Sequence, residues 1–307
     1  MDSVVAVPLA QEQSMTTATS PRPVVVAIDG SSAAIGAAVW AAKDALHHDV
    51  PLRMVHVVHI EQPSDSASGY SIDDEYAETS LREACSAVAK TGIGVQIETT
   101  VLHGGIESLL IEESRGATLI CLGSTGIGRI CAKVLGSTAA TVAERACCPV
   151  AIIRCAHDEE TTESGFIAVI VDDLTGDGEA MLWAMEEARV RHAPVLALGS
   201  WPWPLFDIDY ERFGQRLDHW LRRYPDVTVE IATTRMSAMR YLESYVGALQ
   251  LVVISDEDPR QVMDLVGPRT VSMLKHANCS VLVARPTAPT TAARRYQREP
   301  ETETVPS

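Results

Sequence analysis

Short, almost unbroken apolar runs alternate along the chain with longer segments whose apolar residues recur every three or four positions. The first run, Val24-Val25-Val26-Ala27-Ile28, shows no polar alternation and reads as a strand covered on both faces. It ends at Asp29, after which Ser31 or Ser32 can cap a helix that carries Ile35, Ala38, Val39, Ala42 and Leu46 at helical spacing. Strand Leu52–Val58, a polar loop near Gln62–Asp74 and a helix with Leu81, Cys85, Val88 and Ala89 on one face come next. Strand Val95–Val101, helix Ile106–Arg115, strand Thr118–Leu122, a helix from about Ser137 and strand Val150–Ile153 complete a β-α-β-α-β-α-β-α-β series.

The same series then begins again. It runs through strand Ile167–Val171, helix Glu179–Arg191, strand Val195–Leu198, helix Glu211–Arg223 and strand Val227–Ala232. Helix Ala238–Val246, strand Leu251–Ile254, helix Thr270–His276 and strand Ser280–Ala284 finish it. The closing stretches Cys147-Cys148-Pro149-Val150-Ala151-Ile152-Ile153-Arg154 and Asn278-Cys279-Ser280-Val281-Leu282-Val283-Ala284-Arg285 align position by position, the mark of a duplicated unit. Strands alternating with helices imply parallel sheets with right-handed crossovers. The expected fold is α/β: two tandem doubly wound, Rossmann-like domains, each with a five-stranded parallel sheet. Residues 1–21 and 287–307, rich in Ser, Thr, Pro and charge, are expected to be disordered ends around a first domain at 22–155, a linker at 156–165 and a second domain at 166–286.

Composition narrows the function. A chain of 307 residues suits two domains, and 46% apolar residues suffice for their cores without disulfides or metals. The formal charge of −16 argues against nucleic acid or an anionic membrane as the main partner. With no apolar run near the roughly 20 residues a bilayer needs, and no leader-like start, the expected location is the cytoplasm. The seven cysteines have no CxxC spacing and read as reduced core residues, with the adjacent Cys147 and Cys148 the one pair open to oxidation. His56 and His59, three apart on a strand, point to opposite faces and make no shared metal site. Trp201-Pro202-Trp203-Pro204 reads as a packed loop.

In an open parallel sheet, ligands bind beyond the carboxyl ends of strands where the winding reverses. Two segments fall there: Asp29-Gly30-Ser31 after the first strand, and the long turn from Gly123 to Thr138 after the fourth. That turn contains Gly123, Gly126, Gly128 and Gly136, carries Arg129 and Lys133 and no acid, and runs into a helix at Ser137. Glycines let main-chain N–H groups approach an anion, and a helix start adds unpaired donors and the positive end of its dipole. The turn lacks the Walker GxxxxGK[ST] pattern and the third glycine of a dinucleotide fingerprint. Ser124, Thr125 and Ser137 have no base beside them in sequence that would make them nucleophiles.

The spacing glycine, two residues, glycine, nine residues, glycine and then Ser, met by Gly123, Gly126, Gly136 and Ser137, resembles that of universal stress proteins of the ATP-binding class. Asp29 after the first strand and the His56-Val57 pair ending the second also match that family, and the tandem layout is similar to its actinobacterial two-domain members. The resemblance implies an ATP site in the first domain, with Ala27, Ile28, Asp29 and Val57 around the nucleoside and Leu122, Gly123, Gly126, Gly128, Arg129, Gly136, Ser137 and Thr138 around the phosphates. It further implies Asp29 beside the nucleotide or its Mg2+, and closing strands that pair domains into an intramolecular pseudo-dimer or subunits into a homodimer. Such a protein would act as a nucleotide-dependent regulator of stress or dormancy responses through an unnamed protein partner, and not chiefly as an enzyme. A slow ATPase and a nucleotide-independent scaffold are the alternatives. In the second copy the turn reads Ser255-Asp256-Glu257-Asp258-Pro259-Arg260 and keeps only Gly267 of the glycines, so its acids should repel a polyphosphate.

Overall fold

The computed structural model describes residues 21–59, 72–124, 136–154, 165–171, 178–200, 210–234, 237–257 and 279–286. In the first half, strands β1 (Val24–Ala27), β2 (Leu52–Val58), β3 (Ile97–His103), β4 (Leu119–Gly123) and β5 (Val150–Ile153) alternate with helices α1 (Ser32–His47), α2 (Ile72–Lys90), α3 (Ile106–Ser114) and α4 (Ser137–Arg145). The second half contributes β6 (Phe166–Val171), α5 (Gly178–Arg191), β7 (Val195–Ser200), α6 (Tyr210–Arg223), β8 (Val229–Thr234), α7 (Ala238–Leu242), β9 (Leu249–Ser255) and β10 (Ser280–Ala284). The expected ends apart from Pro21, the linker apart from Gly165, the Trp-Pro loop and the helix at Thr270–His276 lie outside the described residues.

Local chemistry accounts for the element ends. Ser31 Oγ accepts from the Ala34 N–H at 3.1 Å and starts α1 where the sequence placed a cap. β3 begins two residues later than its apolar run suggests, because register with β2 (Leu52 opposite Ile97) sets the edge. The helix expected to run from Ala238 to Val246 keeps its α form only to Leu242 and then tightens into a 3-10 turn over Glu243–Ala248. A 3-10 turn rises more per residue, which lets a short segment reach the start of β9.

All ten strands join one sheet in the order β3-β2-β1-β4-β5-β10-β9-β6-β7-β8. Each half has the same internal order, and every neighbouring pair is parallel except β5 with β10. In that antiparallel pair Val281 faces Ile152, Leu282 faces Ala151 and Val283 faces Val150. Ala151 and Leu282 are also equivalent positions of the duplicated sequence. The pairing therefore has a local pseudo-twofold through them, as an isologous contact requires. This is the intramolecular pseudo-dimer. Both sides of each closing strand are occupied within the chain, β5 by β4 and β10, and β10 by β5 and β9.

Two apolar layers sandwich the sheet, and each spans both halves. One packs α1, α2, α5 and α6 through residues such as Ala38, Leu81, Trp183 and Phe213; the other packs α3, α4 and α7 through Leu110, Val142 and Leu242. Cys121, Cys148 and Cys279 belong to these layers, while Cys147 is exposed and departs from the core reading. Burial pushes the Cys148 and Cys279 thiols up to about 12.

Where α1 meets α5, the halves also share buried charge. The Arg191 guanidinium lies 3.1 Å from Asp44 Oδ2 and 2.9 Å from Glu187 Oε2, and stacks 3.9 Å over the Trp40 ring. The approach to Glu187 is off the N–H direction, so it is a charge contact, and both Glu187 oxygens lack a hydrogen-bond donor. Burial raises the Glu187 carboxyl well above the usual range; Arg191 opposes this, and the charge of Asp44 adds to it. Beside it His47 Nε2 meets Glu186 Oε2 at 2.6 Å.

Candidate functional site

The helices α1 and α2 lie on one face of the sheet and α3 and α4 on the other, so winding reverses between β1 and β4. A cleft of about 230 Å³ opens at the carboxyl ends of those strands. Ala27, Ile28 and Asp29 form one wall, Leu122 and Gly123 another, with Val55 and Val57 from β2 beside them. Gly136, Ser137, Thr138 and Ala139 close it from the start of α4, and Ile106 and Leu110 of α3 give it an apolar side.

The turn from β1 into α1 depends on glycine. Gly30 takes φ +83°, and a Cβ there would lie 2.8 Å from Ser80 Oγ. The turn leaves the Asp29 carboxylate in the cleft wall, with Oδ1 accepting the Ser31 N–H at 2.9 Å, while Tyr76 donates its hydroxyl to the Asp29 carbonyl at 3.2 Å. Gly123 serves close approach: a Cβ would lie 2.8 Å from Ala33 C and from Ala34 N, so the end of β4 touches the α1 backbone.

The β2 main chain faces the cleft for a geometric reason. Val55 turns its carbonyl toward β1, where it accepts the Ile28 N–H at 2.8 Å. Backbone polar groups of a strand alternate sides, so Val57 turns the same way, beyond the last residue of β1 at Ala27. His56, between them, points to the other face. It is buried, meets Tyr76 edge-on with ring centroids 5.9 Å apart, and its Nδ1 has no hydrogen-bond partner. Burial lowers its pKa, against a smaller pull upward from Asp29. His59 is exposed, and among the described residues no group of His, Cys, Asp and Glu could hold a metal.

The fourth-strand turn is closed at its base, where the Gly136 N–H donates to the Ser124 carbonyl at 3.1 Å and the Ser124 N–H to Ile153 at 2.9 Å. The first helical bond of α4 runs from the Ala140 N–H to the Gly136 carbonyl, and no side chain caps the helix. The amides of Ser137, Thr138 and Ala139 precede that bond, so the N-terminal turn presents donors and a positive dipole end to the cleft.

Ala27, Ile28, Asp29, Val57, Leu122, Gly123, Gly136, Ser137 and Thr138, singled out from the sequence, thus surround one cavity. Gly126, Gly128 and Arg129 lie outside the described residues. Sequence reasoning missed Ala34, Val55, Ala139, Ile106 and Leu110, and had placed Ser31 in the segment after the first strand. Val55 could have been found, since it shares a strand face with Val57; Ile106 and Leu110 could not, because helical spacing does not say which face of a sheet a helix covers. Asp29 is the one titratable side chain among the described residues of the lining. In the second half, Asp256 and Glu257 stand where the first half has Ser124 and Thr125.

Comparison with known proteins places this architecture. A model of the Universal stress protein family matches residues 21–154. Two relatives from Mycobacterium tuberculosis H37Rv span both halves. Universal stress protein Rv2624c is 43% identical over 265 residues, 86% of this chain and 96% of its own length. Universal stress protein Rv3134c is 36% identical over 275 residues, 86% of this chain and 97% of its own. The crystal structure of a universal stress protein from Archaeoglobus fulgidus DSM 4304 covers 86% of this chain and 98% of that one, with a TM-score of 0.62 at 17% identity, a likeness of fold. Among the described residues no helix is long and apolar enough to cross a membrane.

Proposed function

Because the chain belongs to the universal stress protein family, we propose that its first half binds ATP in the cleft between β1 and β4, and that occupancy, not turnover, is what the protein reports. The observation that carries this reading is the uncapped start of α4, whose free amides open into the cleft opposite Asp29 and Val57. Main-chain groups at Val57 suit the donor and acceptor edge of adenine. The Asp29 carboxylate and the hydroxyls of Ser137 and Thr138 are hard oxygen donors of the kind Mg2+ takes. They would hold the ion carried by the nucleotide.

Binding is favoured over catalysis by the lining itself, which offers Asp29 as its one titratable group among the described residues and no base paired with a nucleophile. The second half does not share the ligand, as acids replace the glycine-rich turn. In this reading the protein is a nucleotide-dependent regulator of stress or dormancy responses: ATP favours one state of the chain, and a protein partner reads that state.

The test is direct. Protein purified without added nucleotide is denatured and the supernatant chromatographed; adenine nucleotide in the supernatant supports the reading. Titration of nucleotide-free protein should raise its melting temperature, since ligand at a hundred times Kd adds about 2.7 kcal/mol. No binding at saturating ATP overturns the site, and steady accumulation of ADP over many turnovers overturns the binding-only account.

A further inference from the structure

Arg285 follows β10 directly and is 7% exposed. Its Nε donates to Asp256 Oδ2 at 3.0 Å, one terminal nitrogen donates to the Cys148 carbonyl at 3.5 Å, and the other donates to the Ala143 carbonyl. Asp256 stands just past β9 in the second half. Ala143 is in the last turn of α4, and Cys148 just precedes β5, both in the first half. One guanidinium therefore joins the residue that follows β9 in the second half to the carboxyl end of the helix whose amino end opens into the first half's cleft.

We propose that Arg285 is a positioning residue for the nucleotide site of the other half, pinning α4 so that the Ser137 and Thr138 amides stand at the right height for phosphate. The inference rests on the ATP reading above. The last carbonyls of a helix have no donor within the helix, and a cation there complements the negative end of the dipole. A nine-residue helix is a stiff rod about 14 Å long, so what is fixed at one end is fixed at the other. Arg285 is planar and forked, and it meets its acceptors from Nε and both terminal nitrogens, a spread that the single ammonium of lysine does not have.

The arrangement also gives the acidic second half a task. Its turn has exchanged a neutral position, Ser124 in the first half, for Asp256, which holds the arginine instead of a phosphate. Coupling of this kind is reciprocal: if Asp256 and Arg285 help ATP to bind, then ATP must tighten the contact at Asp256. The second half thereby senses occupancy of the first.

The experiment compares full-length wild type with Arg285→Ala, Arg285→Lys and Asp256→Asn by calorimetric titration with Mg-ATP and by amide hydrogen exchange across residues 249–257 with and without ATP. Loss of this charge-assisted anchor is expected to weaken ATP binding about tenfold in Arg285→Ala, with partial rescue in Arg285→Lys. ATP should slow exchange over 249–257 in wild type and not in Asp256→Asn, which removes the charge that pairs with Arg285 but leaves the contacts of Arg285 to α4. A purely structural arginine would lower the melting temperature without moving this ATP-dependent difference. Equal ATP affinity in wild type and Arg285→Ala overturns the inference and leaves the ATP site standing; failure of wild type to bind ATP overturns the site, and the inference with it. Should Arg285→Ala not fold, Asp256→Asn decides alone: ATP-dependent protection equal to wild type overturns the coupling, and its loss supports it.

Discussion

Replacing Gly136 with glutamate should cost the first half its ATP while leaving the fold in place. Gly136 has φ −64° and ψ 146°, ordinary extended backbone for any residue, and a Cβ built on it meets nothing within 4 Å among the described residues. Its two backbone hydrogen bonds, to Ser124 at 3.1 Å and from Ala140 at 3.2 Å, survive any side chain. Exchange of a glycine at a compatible conformation restricts the unfolded chain and adds about 0.4–1 kcal/mol of stability, while a poorer helix cap removes a few tenths, so the melting temperature should barely move. Binding is another matter, because the new carboxylate projects into the space that phosphate needs. A unit charge pair at 4 Å is worth about 4 kcal/mol at an effective dielectric of 20. Halving that for solvent access leaves about 2 kcal/mol, or roughly a thirtyfold loss of affinity. Gly136→Gln keeps the volume and drops the charge, so the affinity gap between the two variants isolates electrostatics, and that gap should narrow at high salt. Calorimetric titration reads both. Wild-type affinity in Gly136→Glu would remove the start of α4 from the site, and gross unfolding would refute the claim that the fold tolerates a side chain there.

Gly123→Ala should do the reverse, forcing a methyl against the α1 backbone and costing about 1–3 kcal/mol in urea denaturation; an unchanged midpoint would mean the strand–helix approach is looser than described. Glu187 should make stability fall as pH rises above its unfolded value near 4.5, because burial raises the folded carboxyl well above that value and it keeps a proton that the unfolded chain has lost. Glu187→Gln should flatten that decline in a series of melting temperatures, and an identical slope in the variant would assign the dependence to other groups. Leu282→Ala, at the centre of the pairing between β5 and β10, should cost about 2–5 kcal/mol and leave a single unfolding transition. Two separated transitions would show that the halves fold independently.

The central strands were readable because each is buried on both faces and so needs an uninterrupted apolar run, as Val24–Ala27 and Leu119–Leu122 have. Asp29 and the Gly136-Ser137 step were readable because punctuation between a strand and a helix leaves few residue types able to make the turn. Edges were harder. β3 is half-exposed, its pattern is diluted with Glu98, Thr99 and Thr100, and its start is set by β2 rather than by its own residues. The apolar side of the cleft, from Ile106 and Leu110, depends on which face α3 covers, and amphipathic spacing carries no such information.

From its order of residues alone the chain already committed to two copies of one α/β unit and to a glycine-lined, cationic turn in the first copy and an acidic one in the second. These are properties of neighbours along the backbone, where periodicity and turn chemistry act. The merging of both sheets about Ala151 and Leu282, the meeting of Asp44 with Glu187 and Arg191, and the reach of Arg285 to Ala143 are of another kind. Each joins residues more than a hundred positions apart, and no local pattern specifies such a contact; it arises when two folded surfaces find the one packing that buries their apolar layers and pairs their charges.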